Sequence, residues 1–244
     1  MSDEIVRGKH AIVTGGGRGI GLAVARALKG AGARVSIVSR NAPDSGDGFF
    51  RAAADVTDEA AVLDAFAQCR SANGAIAILV NNSGIAESAP FKRTDKAMWD
   101  RIIATNLTGT YLCTHAAIGD MLDAQWGRIV NIASIAGLFG AAYITAYTAS
   151  KHGVMGFTRA LAAELGGTGV TVNAICPGYT ESDMMSYAIQ NIMKRTGMAR
   201  EAAREELAKT NPGGRIVTPD EVAAAVVALC ENGQTAQELV LPTL

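Results

Sequence analysis

Residues 9–39 read KHAIVTGGGRGIGLAVARALKGAGARVSIVS, and this stretch decides the fold. A short apolar run at 11–13 meets a glycine-rich turn, an apolar-periodic helix runs to about Gly30, and a second apolar run covers 35–38. A switch from strand-like run to helical spacing and back writes a βαβ unit. Further strand-like runs lie at 50–54, 76–80, 128–132 and 170–175, with helical patterns between them. Such alternation predicts parallel strands buried on both faces by crossover helices. The expected fold class is α/β, a doubly wound parallel sheet in a single domain spanning 1–244, since no composition shift or Pro-rich linker divides the chain.

Around that unit the layout is uneven. Between Arg40 and the run at 50–54 lies only NAPDSGDGF, which holds a Pro, two Gly and two Asp and predicts a bare loop in place of a crossover helix. A long helical region is expected at about 95–124 and another at about 146–165. EVAAAVVALC reads as a late helix and ELVLPTL as a last strand.

The 244 residues are 49% hydrophobic and 18% charged, enough to bury a sizeable core. Lys+Arg 22 nearly balance Asp+Glu 23, so no nucleic-acid partner is expected. MSDEIVRGKH lacks the layout of a secretory signal and no apolar run could span a bilayer, so a cytoplasmic protein without a membrane partner is expected. Cys69, Cys113, Cys176 and Cys230 show no C-x-x-C spacing and read as buried free thiols. His10, His115 and His152 are far apart, and no metal site is expected.

Thr14-Gly15-Gly16-Gly17-Arg18-Gly19-Ile20-Gly21 joins the first strand to the first helix, where backbone N–H groups and the helix dipole can receive a pyrophosphate. An acid at the end of the second strand would bond the ribose 2′-hydroxyl of NAD. Ser39 and Arg40 stand there instead, and Arg18 sits inside the glycine loop. Two guanidiniums that can converge on one phosphate favour NADP(H), with NAD(H) possible, the alternative being that either arginine is a plain surface charge. Farther on, AYTASKHG at 146–153 sets Tyr147 four positions ahead of Lys151, on one face of a helix.

TGGGRGIG at 14–21, NNSG at 81–84, Asn106, Ser134, Tyr147-x-x-x-Lys151 and Pro177-Gly178 occur in an order and spacing by which the chain resembles the short-chain dehydrogenase/reductase superfamily over almost its whole length. The resemblance implies a Rossmann-like sheet with a small helical substrate lid, here at about 182–213. It also implies that Gly15, Gly17, Arg18, Gly19, Ile20 and Gly21 hold the cofactor pyrophosphate, that Asp55 and Val56 border the adenine, that Asn82, Ser83 and Gly84 meet the adenosine ribose, and that Pro177, Gly178 and Thr180 face the nicotinamide carboxamide. The family's usual Asn-Asn-Ala-Gly is Asn81-Asn82-Ser83-Gly84 here, its common threonine is Ser182, and LVLPTL is an unusual C-terminus. Relatives are usually homotetramers or dimers joined through the long helices.

Ketone reduction needs a hydride and a proton donor beside the carbonyl oxygen. Tyr147 is the expected acid, with Lys151 as the cation that lowers its pKa. As in the family, Tyr147 and Lys151 also contact the cofactor, Lys151 through the nicotinamide ribose. Ser134 is expected to donate to the developing oxyanion and Asn106 to support a water that feeds protons to Lys151. Tyr143 is the rival phenol, but its i+4 neighbour is Tyr147 rather than a cation.

The segment 179–215 predicts two short amphipathic helices. Met184, Met185, Met193 and Met198 suit an adaptable apolar lid. Lys194, Arg195, Arg200, Arg204 and Arg215 can receive the phosphates of a CoA or acyl-carrier-protein arm or simply be exposed helix charges. The sequence looks most like β-ketoacyl thioester reductases and polyketide ketoreductases, which implies NADPH-dependent reduction of a 3-oxoacyl thioester. Oxidative alcohol, hydroxyacyl-CoA or sugar-alcohol dehydrogenation is the alternative enzyme reading, and a nucleotide-binding regulatory subunit is the non-enzymatic one.

Overall fold

The Val- and Ile-rich runs form a seven-stranded sheet in the order β3-β2-β1-β4-β5-β6-β7, with every pairing parallel. The structure is a computed structural model and describes residues 5–41 and 46–242. The strands are β1 (His10–Thr14), β2 (Arg34–Ser39), β3 (Phe50–Ala53), β4 (Ile76–Asn81), β5 (Gly127–Ile132), β6 (Val170–Pro177) and β7 (Glu238–Leu241). The helices are α1 (Gly19–Gly30), α2 (Glu59–Asn73), α3 (Lys96–Ile103), α4 (Gly109–Asp123), α5 (Thr145–Glu164), α6 (Asp183–Thr196), α7 (Arg200–Thr210) and α8 (Pro219–Asn232).

Alternation along each strand divides the core in two. Ala11 and Val13 of β1 pack with Val24 and Leu28 of α1 and with Val226 and Leu229 of α8. Ile12, one residue out of phase, packs on the other face with Phe66 of α2, Met121 of α4 and Ala162 of α5. The chain therefore buries both faces, as unbroken apolar strands require. The order reverses between β1 and β4, so a crevice opens beyond their carboxyl ends.

The region expected to be one helix over 95–124 is broken. A π-helical turn at Ala104–Thr108 separates α3 from α4. ATNLTGT is poor in strong helix formers, and the widened turn holds Asn106 at its centre. In the expected bare loop, residues 46–49 contain no helix, while 42–45 lie outside the described residues. The last strand stops at Leu241, and residues 243–244 of the expected run lie outside the described residues. All four cysteines are free and buried, and burial pushes their thiols up, Cys113 and Cys230 to about 12.

At the opposite end of the sheet from the crevice, His10 ties three elements together. Its Nδ1 lies 2.7 Å from the Gly74 carbonyl oxygen and its Nε2 lies 2.8 Å from Ser36 Oγ, which also accepts from Asn73 Nδ2 at 2.9 Å. Burial lowers the imidazole below its ordinary 6.5, with Arg34 and Arg70 acting in the same sense and the Gly74 bond and Asp120 opposing. The folded chain thus prefers neutral His10 while the unfolded chain binds a proton at about 6.5. This contribution is complete above that pH and is lost as pH falls through the depressed folded value. Urea midpoints should drop between pH 7.5 and 5 in the parent chain and drop less in His10→Gln; equal slopes would exclude His10 as the source.

Candidate active site

The glycine turn and the NNSG turn are stitched together across the reversal point. Thr14 Oγ1 accepts from the backbone N–H of Asn82 at 3.0 Å and of Ser83 at 3.1 Å. The Asn82 carboxamide donates to the carbonyls of Thr14 at 2.9 Å and Gly15 at 3.3 Å. Gly21 lies against this stitch, and a Cβ there would stand 2.5 Å from both Asn82 Nδ2 and the Gly15 carbonyl oxygen. Arg18, which precedes α1, makes no capping hydrogen bond, so the amino end of the helix keeps unsatisfied N–H groups facing the crevice. A tight glycine cradle with an uncapped helix end fits a pyrophosphate.

The crevice is a continuous cleft of about 1710 Å³. Gly15, Gly17, Arg18, Gly19, Ile20, Gly21, Ser39, Arg40, Asp55, Val56, Asn82, Ser83, Gly84, Ser134, Tyr147, Lys151, Pro177, Gly178 and Thr180 all stand on its walls. Asn106 does not. It is buried behind the wall, where its Oδ1 accepts from Ile85 N at 2.8 Å and its Nδ2 donates to the Ile85 carbonyl at 2.9 Å and to Ser150 Oγ at 3.0 Å. Ser150 Oγ in turn donates to the Tyr147 carbonyl at 2.7 Å. The carboxamide therefore joins the end of the β4 turn to the backbone of α5, with both its donor and its acceptor atom engaged.

Tyr147 and Lys151 share one face of α5. Lys151 Nζ donates to the Ile132 carbonyl at 2.8 Å and sits 5.8 Å from the Tyr147 ring centroid. A 3-10 turn at Ile135–Gly137 brings Ser134 beside them, and its Oγ accepts from Ala136 N at 3.1 Å. Gly137 permits that approach, because a Cβ there would lie 2.9 Å from the Lys151 carbonyl oxygen. Burial raises the Tyr147 pKa, the Ser134 hydrogen bond opposes this and Tyr179 adds to it. Burial also pushes Lys151 down to about 8. The expectation that the ammonium would lower the phenol is thus corrected in direction: desolvation dominates, and the Lys151 head points to a backbone carbonyl. A protonated phenol beside a serine hydroxyl can donate a hydrogen bond into the cleft.

Other expectations shift on the cleft's outer side. Arg18 donates to Asp183 at 2.9 Å, between the glycine turn and the first residue of α6, whereas Arg40 is exposed without an ion pair among the described residues. Arg204 pairs with Glu181 at 2.8 Å and Arg215 with Glu221 at 2.5 Å, and neither lines the cleft. Of the five lid cations only Arg195 lines the cleft. Of the four methionines only Met184 and Met185 do, while Met193 packs between α6 and α7 and Met198 is exposed.

Tyr179 and Asn211 were not singled out by sequence. Tyr179 is a further phenol on the cleft wall, beside Tyr143, Tyr147 and Tyr187 in the lining. Its N–H donates to Asn211 Oδ1 at 2.6 Å, and its carbonyl accepts from Asn211 Nδ2 at 2.9 Å. The only local signal is Asn-Pro-Gly-Gly, which reads as a turn and gives no hint that its carboxamide reaches back to the Pro177-Gly178 bend. No group of His, Cys, Asp or Glu among the described residues could hold a metal, and no described helix is long and apolar enough to cross a membrane.

The parallel sheet, the glycine cradle and the Ser134, Tyr147 and Lys151 cluster are those of a short-chain dehydrogenase, and the chain belongs to that family: its short chain dehydrogenase model matches residues 9–192. Among curated relatives, a D-beta-hydroxybutyrate dehydrogenase of Cupriavidus necator is 37% identical over 236 residues, covering 92% of each chain. An acetoacetyl-CoA reductase of Shinella zoogloeoides is 38% identical over 228 residues, covering 91% of this chain and 90% of the relative. A crystal structure of an actinorhodin polyketide ketoreductase variant with NADPH superposes with a TM-score of 0.90 at 34% identity, covering 99% of this chain and 97% of that one.

Gly21→Ala should force the stitch apart. Overpacking of this kind costs about 1–3 kcal/mol, so the variant should melt earlier and lose most of its nucleotide affinity in a fluorescence titration. Normal affinity would show that the cradle tolerates a side chain.

Proposed function

We propose that the chain is an NADP(H)-dependent ketoreductase that converts a 3-oxoacyl thioester to the 3-hydroxyacyl thioester. The observation that carries this reading is the meeting, on one cleft, of the glycine cradle with Ser134, Tyr147 and Lys151. Ser134 donates to the ketone oxygen and holds the charge that develops there. Tyr147, protonated at neutral pH, passes its proton to that oxygen. Lys151 holds the cofactor's ribose and remains positioned by Ile132. When bound, the reduced nicotinamide supplies the hydride.

Relatives whose names point to a free hydroxy acid and to a CoA thioester are almost equally similar, so similarity does not choose between them. Charge does. The segment 135–146, which runs from Ser134 to Tyr147, contains no charged residue. A free carboxylate drawn into such a wall would lose hydration worth several kcal/mol with no adjacent cation from that segment, whereas a thioester is neutral. Arg195, on the lid side of the same cleft, is available for the phosphates of a CoA or carrier arm.

Arg40 supports a 2′-phosphate directly, and Arg18 can be recruited to it. Its pair with Asp183 is exposed on both sides and is worth only about 0.2–1 kcal/mol, less than the roughly 1.5–3 kcal/mol of a hydrogen bond to a charged group. Exposed Tyr111 and Leu122 on α4 support a homo-oligomer joined through that face, and four free thiols suit a reducing cytoplasm.

Nicotinamide absorbance followed with acetoacetyl-CoA, free acetoacetate and a simple ketone, each with NADPH and NADH, tests the reading. Thioester turnover with NADPH should exceed the others, and Tyr147→Phe should lower kcat by about 10²-fold or more while NADPH still binds. Preference for free acetoacetate, or for NADH, would overturn the corresponding half. Arg195→Ala should raise KM for a CoA thioester about two- to fivefold, the size of an exposed ion pair, and leave KM for the phosphate-free N-acetylcysteamine thioester unmoved.

A further inference from the structure

Four large apolar side chains stand in solvent around the mouth of the cleft. Phe139 is 68% exposed, Tyr143 55%, Tyr187 55% and Met184 42%, and all four line the cleft that contains Ser134 and Tyr147. Single exposed apolar residues need no explanation, and Phe91 and Leu63 are such cases outside the cleft. Convergence on one opening is different, because each ring would gain by being covered.

Two segments far apart in sequence supply the mouth. Phe139 and Tyr143 come from the charge-free turn before α5, and Met184 and Tyr187 from the first turns of α6. Tyr143 has φ 71°, a left-handed conformation that a bulky residue adopts at a cost of about 1–3 kcal/mol. The backbone N–H of Ala89 holds it there, donating to the Tyr143 carbonyl at 2.8 Å. The backbone that presents the ring is thus held in place.

We propose that this mouth is a binding site for the acyl chain beyond the 3-oxo group, so that the preferred substrate carries an apolar chain well longer than acetoacetyl. The inference rests on the reading of the site as a thioester ketoreductase. The occupant is the substrate's own chain because the mouth opens onto the groups that reduce it. On this proposal a four-carbon acyl group held at Ser134 and Tyr147 is too short to cover the four side chains.

The test compares acetoacetyl-, 3-oxohexanoyl-, 3-oxooctanoyl- and 3-oxodecanoyl-CoA with NADPH. Covering apolar surface should raise kcat/KM by about two- to fourfold per added methylene, until the chain passes the mouth. In Phe139→Ser/Tyr187→Ser the ratio of octanoyl-length to butanoyl-length efficiency should fall at least fivefold. A best substrate of four carbons, or an unchanged ratio in the double variant, overturns the proposal. So does a double variant that changes oligomeric mass in light scattering while keeping the ratio, since a second copy would then cover the patch. Calorimetric binding of saturated octanoyl-CoA against acetyl-CoA separates this from the function reading. If no thioester is reduced yet octanoyl-CoA binds at least tenfold tighter, the mouth stands and the reaction is wrong; equal affinities remove the mouth.

Discussion

The site depends first on the contact between Thr14 and Asn82. A doubly wound sheet leaves its two innermost strand ends diverging at the reversal point, with backbone groups that would otherwise face the crevice unpaired. Thr14 Oγ1 takes two of those N–H groups, from Asn82 and Ser83, and the Asn82 carboxamide takes the carbonyls of Thr14 and Gly15. The floor of the cleft is thereby fixed before any ligand arrives. Because the stitch occupies the volume beside Gly21, the helix that presents its N–H groups to a phosphate can approach only without a side chain there. Strand ends, glycine cradle and helix direction are one constraint.

A second bracket positions the reacting end. Asn106 joins the Ile85 backbone to Ser150, and Ser150 joins it to the turn of α5 that carries Tyr147. The π turn containing Asn106 interrupts what would otherwise be one continuous helix. Helix regularity is given up where a buried carboxamide must reach two different elements, a common use of such turns. The Asn211 bracket on Tyr179 does the same for the far wall.

How much of this was legible follows from the range of each interaction. The βαβ unit, the strand runs and the helix over 146–165 are set by local periodicity, and the structure has them within a residue or two. The spacing of Tyr147 and Lys151 is likewise local. The break at 104–108 was only half legible: ATNLTGT is poor in helix formers, but the contacts of Asn106 with residues 21 and 44 positions away do not show in the local sequence. The partners of Arg18, Arg204 and Arg215 were not legible, since a charge in a sequence does not say which carboxylate the fold brings to it. The sign of the Tyr147 shift failed for a related reason. Spacing shows that a lysine is near, but burial decides which form of both groups is favoured.

That reversal works against acid catalysis and is opposed within the site. A phenol raised by burial holds its proton more tightly than one lowered by an ammonium, so proton transfer from Tyr147 leans on the Ser134 hydrogen bond, which pulls the other way. Desolvation keeps the Tyr147 proton in place and brings Lys151 to about 8, where gaining or losing a proton costs little near neutral pH. The uncharged turn 135–146 lies between Ser134 and Tyr147 and includes the exposed Phe139 and Tyr143. One uncharged segment therefore borders both groups and sets the character of what can lie against them. A neutral acyl thioester meets that wall without bringing a charge that it would have to neutralise.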